Sequence, residues 1–87
     1  MIEVFFSKKF VRLYAKLDQS LKSEVKQRIE LLKDQTNHTS LKVHKLHGPL
    51  EDSFSFSINR KLRILFKYLS DSKVILVAID DHDIYKR

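Results

Sequence analysis

Apolar residues change their spacing once along this chain, and that change limits what it can fold into. From Phe10 to Leu32 they recur at helical intervals: Phe10, Leu13, Tyr14 and Leu17 form one stripe, and Leu21, Val25, Ile29 and Leu32 a second, with Lys22, Lys26 and Lys33 outside it. From Ser53 onward the interval is two. Phe54, Phe56 and Ile58 alternate with Ser53, Ser55 and Ser57, which predicts a half-exposed strand. Leu62, Ile64, Phe66 and Tyr68 share one face of the next strand, and Arg63, Leu65 and Lys67 share the other. Val74 to Ile79 is unbroken apolar, the pattern of a central strand covered on both faces. Ile2 to Phe6, β-branched and aromatic, reads as a first strand.

A helical block inside a strand pattern predicts an α+β domain in the order β-α-α-β-β-β, with two short antiparallel helices packed on one face of an antiparallel-rich sheet. The punctuation agrees. Ser7 can cap the first helix; Asp18 and Ser20 offer a break and a second cap. The only Gly and the only Pro stand together at Gly48-Pro49 and mark a turn, and Asn59–Lys61 and Ser70–Ser72 mark two more. Gln35 to Ser40 is polar and loop-like. Leu41 to Asp52 is basic and mixed, and places His44 and His47 three residues apart, either on one helical face or on a loop over the sheet. At 87 residues, one domain spanning 1–87 is expected.

An apolar fraction of 43% suffices for a packed core. The absence of cysteine removes disulfides and thiolate metal sites and suits a reducing cytosol. The opening residues lack a signal-peptide pattern, and no apolar run reaches membrane-spanning length, so a soluble cytoplasmic protein without a membrane partner is expected. Lys and Arg total 17 against 11 Asp and Glu, a net charge of +6. Such a field draws polyanions, either nucleic acid or an acidic protein.

Chemistry concentrates in a few places. Arg63 lies mid-strand on the face turned from the helices, with Arg60, Lys61 and Lys67 around it. It is either a solvated charge or part of a basic face able to grip phosphate through a bidentate fork. The segment VAIDDHDIYKR carries the apolar run into Asp80, Asp81, His82 and Asp83. On an extended strand Ala78, Asp80 and His82 project to one side, and Ile79 and Asp81 to the other. His82 is either a surface histidine or a general acid or base at the sheet rim, its imidazolium form favoured by the flanking carboxylates. Successive side chains of an extended strand point apart, so this quartet does not converge on an ion, and no metal site is expected. Tyr85 is either a packing anchor or a ring for base stacking. There is no Gly-rich phosphate loop, no GxSxG elbow and no zinc spacing, so no cofactor is expected. An arginine, histidines and an aromatic ring suit RNA cleavage, in which the substrate's own 2′-OH is the nucleophile and the protein supplies proton transfer and cationic donors.

These residues carry a resemblance. The segments HKLHGPLEDSFSFSI, LRILFKYL and VAIDDHDIY, in that order and spacing, resemble the RelE/ParE superfamily of type II toxins, especially the RelE-like mRNA endonucleases. The likeness runs the length of the chain. It implies the same β-α-α-β-β-β fold, a cognate antitoxin that covers the basic face, and cleavage of mRNA on the ribosome with no small-molecule cofactor. By position, Arg63 matches the family's strand arginine, His82 the histidine of the closing segment and Tyr85 its terminal aromatic. His44 falls near a carboxylate that some relatives use, and His47 near a histidine that others use. Lys42, Lys45, Arg60, Lys61 and Lys67 become the implied RNA contacts. The family's Gly-Thr before the histidine is Asp80-Asp81 here, and its second turn glycine is Asp52; the two carboxylates beside His82 either repel an RNA phosphate or tune the histidine. Two other expectations compete: a ParE-like inhibitor of DNA gyrase, and a catalytically silent binding module of the same fold.

Overall fold

The computed structural model describes residues 1–46 and 53–81. The elements run β1 (Glu3–Phe6), α1 (Lys8–Ala15), α2 (Gln19–Leu32), a 3-10 turn (Gln35–Asn37), β2 (His44–Lys45), β3 (Phe54–Ser57), β4 (Leu62–Ser70) and β5 (Lys73–Asp81). The five strands form one sheet in the order β1-β5-β4-β3-β2. β1 pairs parallel with β5, and every other pairing is antiparallel. The chain is therefore α+β, with a mixed but antiparallel-rich sheet, as the spacing predicts. No helix among the described residues is long and apolar enough to cross a membrane.

Local chemistry starts and stops the helices. The Ser7 hydroxyl accepts a hydrogen bond from the Phe10 amide at 3.0 Å, capping α1. Asp18, not Ser20, caps α2, accepting from the Leu21 amide at 2.8 Å; Ser20 lies inside the helix's first turn. Phe10 of α1 and Val25, Ile29 and Leu32 of α2 are buried in one core with Phe56, Ile58, Leu62, Ile64, Phe66, Val74 and Leu76 of the sheet and Leu41 of the segment before β2. Burying a side chain such as Phe66 or Leu41 contributes about 1.5–3 kcal/mol.

The sheet departs from expectation at three points. Residues 44–45 form a two-residue edge strand, so His44 sits on the sheet and not on a helix, and a fifth strand is added. β3 is not half-exposed: Ser53 is buried and Ser55 is fully buried. The third departure is a β-bulge in β5. Leu76 pairs with Phe66, but the next paired residue, Ala78, faces Leu65, which leaves Val77 as the extra residue. The Ser7 hydroxyl donates to the Val77 carbonyl at 2.9 Å, and the Ser7 amide donates to the Leu76 carbonyl at 3.0 Å. The residue that caps α1 thus also satisfies the bulge.

The bulge decides which side chains meet the helices. Directly paired residues share a face of an antiparallel sheet. Val74 and Leu76 face the core; after the bulge, Ile79, paired with Ile64, does so, while Ala78 and Asp80 turn to the opposite face. Strict alternation would place Leu76, Ala78 and Asp80 together and drive a carboxylate into the apolar core.

Candidate nucleic-acid interface

The face turned away from the helices carries two cross-strand rows. His44, Ser55, Leu65 and Ala78 form one; Ser57, Arg63 and Asp80 form the next. Arg63 and His44 are thereby on one surface, two strands and one row apart, roughly 12 Å between their Cα positions by ordinary sheet spacings.

Arg63 is not a solvated charge. Its Nε donates to Asp80 Oδ2 at 2.8 Å, across directly paired positions. Asp80 is buried, its side chain 8% exposed, against 23% for Arg63. The contact uses Nε alone, and Asp80 is the one hydrogen-bond partner of Arg63 among the described residues. The Nη edge of the guanidinium, the edge that grips phosphate in bidentate fashion, is left to a ligand. The Asp80 carboxylate is thus engaged by Arg63; its relation to His82 lies outside the described residues.

His44 is exposed on β2, and its ring is oriented at both nitrogens. Nδ1 lies 2.8 Å from the Lys42 carbonyl. A carbonyl only accepts, so Nδ1 carries a proton. Nε2 lies 3.3 Å from the hydroxyl of the fully buried Ser55. In the neutral ring, Nε2 accepts from that hydroxyl, as a proton-accepting base requires. In sequence, Ser55 is hidden by its alternation, which reads as solvent-facing.

The basic residues divide. Lys67 pairs with Ile75 on the Arg63 face. Lys45 pairs with Phe54 and so belongs to the other face, at the sheet edge. Lys61 and Arg60 sit exposed in the β3–β4 turn. Lys42 and Arg60 line an open cleft of about 650 Å³ with Arg28, Ser40, Ser57, Ile58 and Asn59. Arg28, on α2, escapes a reading of the strands alone. Lys42 holds a left-handed backbone, φ 58°, unusual for a residue with a Cβ. His47, His82 and Tyr85 lie outside the described residues, and so do Asp52 and the Gly48-Pro49 turn.

The whole chain has counterparts among solved structures. YafQ from E. coli superimposes with a TM-score of 0.77 at 14% identity, covering 97% of each chain. The YoeB-YefM complex from Staphylococcus aureus gives 0.72 at 15% identity over 94% of this chain and 98% of that one. The toxin-antitoxin complex RelBE2 from Mycobacterium tuberculosis gives 0.69 at 20% identity over 93% and 98%. No protein-family model and no curated protein sequence matches the chain. The likeness is one of three-dimensional structure. The chain has the fold of the RelE/ParE superfamily of type II toxins, which its sequence segments resemble.

Proposed function

We propose that this protein is the toxin of a type II toxin-antitoxin pair and that it acts in the cytoplasm as a ribosome-dependent mRNA endoribonuclease. The observation that carries this reading is the shared placement of Arg63 and His44 on the sheet face away from the helices, with the Nη edge of Arg63 without a partner among the described residues. The toxin fold supports it, and complexes such as DinJ-YafQ from E. coli support a cognate antitoxin as partner.

The chemistry needs neither cofactor nor protein nucleophile. A base takes the proton of a ribose 2′-OH, and the oxygen attacks the adjacent phosphorus. The bond from phosphorus to the 5′-oxygen breaks, an acid protonates that leaving oxygen, and a 2′,3′-cyclic phosphate remains. Arg63 holds the charge of the phosphorane. His44, His47 and His82 are the candidate proton carriers, and Tyr85 the candidate stacking ring.

The test is induced expression in a bacterial host of wild type, Arg63→Ala, His82→Ala and His44→Ala, with growth followed and mRNA 5′ ends mapped. Growth arrest with cleavage of translated messages, lost in the Arg63 and His82 variants, is the expected result. Arrest with messages intact overturns the ribonuclease reading and moves a protein target such as gyrase to the front.

A further inference from the structure

The cleft lined by Arg28, Lys42 and Arg60 has no role in the chemistry above, and its construction is specific. Three separate segments supply one cation each: α2, the turn before β2 and the β3–β4 turn. Each segment is pinned. Leu41 is fully buried, and its carbonyl accepts from the Ser57 amide at 2.9 Å, which fixes the backbone beside Lys42. Asn59 Oδ1 accepts from the Lys61 and Leu62 amides at 2.8 and 2.9 Å, which shapes the turn carrying Arg60. Asn59 Nδ2 donates to Glu24 Oε1 at 3.3 Å and ties that turn to α2. Glu24 stands one helical turn before Arg28 and gives its Oε1 to this bond. Among the described residues none of the three cations is paired with a carboxylate. Three like charges held around one cleft repel one another, and a bound anion relieves that repulsion. The left-handed backbone of Lys42 adds a local strain of the kind kept at ligand sites.

We propose that this cleft binds a backbone phosphate of RNA, adjacent to the phosphate held by Arg63. Ser57 joins the two places: it lines the cleft and stands directly opposite Arg63 across β3 and β4. The inference rests on the RNA-cleaving reading for its ligand, and Arg28 is the residue it adds to the RNA surface.

The experiment measures binding of a short single-stranded RNA oligonucleotide, and separately of ribosomes without message, across a salt series. The variants are Arg28→Gln, Arg60→Gln and Lys42→Asn, the last because asparagine tolerates a left-handed backbone. Lys8→Gln with Lys9→Gln on α1 is the matched control for net charge. Loss of one phosphate contact should lower the slope of log K against log salt by about 0.7, and Arg28→Gln with Arg60→Gln should lower it about twice as much. In cleavage the cleft variants should raise KM and spare kcat. An effect on the oligonucleotide assigns the cleft to messenger phosphate; an effect on empty ribosomes alone assigns it to ribosomal RNA. Slopes unchanged on both, or changed as much by the α1 control, overturn the proposal, as does loss of antitoxin binding with RNA binding intact. Cleft-dependent RNA binding without any cleavage leaves the cleft standing and removes the catalytic reading.

Discussion

Arg63→Ala tests catalysis, and it should also destabilise the fold. It leaves the Asp80 carboxylate buried, its side chain 8% exposed, with its hydrogen-bond donor gone. Removing one member of a buried ion pair costs about 3–5 kcal/mol; because the Arg63 side chain is 23% exposed, water enters in its place, and about 2–3 kcal/mol is the expected loss. A chain of 87 residues has a total stability of roughly 4–13 kcal/mol. The loss is a large share of it, and corresponds to a fall in Tm of about 10–20 °C. Asp80→Ala should cost less, about 1 kcal/mol, because the freed guanidinium can reach solvent. The double variant Arg63→Ala/Asp80→Ala should lose less than the sum of the two single losses, by a coupling of about 1–2 kcal/mol. Urea unfolding followed by far-UV circular dichroism on wild type, both single variants and the double variant measures all three numbers. Two results refute the reasoning: Arg63→Ala as stable as wild type, or a double variant whose loss equals the sum of the two single losses. The consequence for activity assays is direct: the activity of Arg63→Ala is to be read against the folded fraction of the same variant.

Two further outcomes follow from the same structure. Ser7→Ala removes the α1 cap and leaves the Val77 carbonyl at the bulge without its donor, so a loss of about 2 kcal/mol is expected in the same unfolding assay, and a loss under about 0.5 kcal/mol contradicts the double role of Ser7. The Thr36 backbone amide first, and the Thr36 hydroxyl second, hold the Asp34 carboxyl below its usual 3.8. A depressed folded-state value means stability that is present above 3.8 and lost as pH falls through the folded value, so Asp34→Asn should lower stability at neutral pH and flatten the acid limb, its curve meeting the wild-type curve in acid; an unchanged acid limb rejects the assignment.

Periodicity by itself determined the two helices, the strands β3 and β4, and the face that Arg63 occupies, because these follow from which side chains a helix or strand can bury along one side; β1 and β5 were legible as short β-branched and apolar runs. The cap at Ser7 was equally legible, since a cap is a contact between residues three apart, whereas between Asp18 and Ser20 only the structure selects Asp18. What the tertiary structure decided is long-range. The bulge at Val77 is bonded by Ser7, seventy positions away in the chain, and it turns Asp80 from the core to Arg63. His44 becomes part of the sheet only because β3 offers it an edge, and Ser55 is buried where alternation reads it as exposed. Arg28 joins Lys42 and Arg60 because Asn59 reaches from the β3–β4 turn to Glu24 on α2. Local pattern sets which face of its own element a residue takes; which distant residue it meets there depends on register, and a single extra residue in one strand changes that register for every position beyond it.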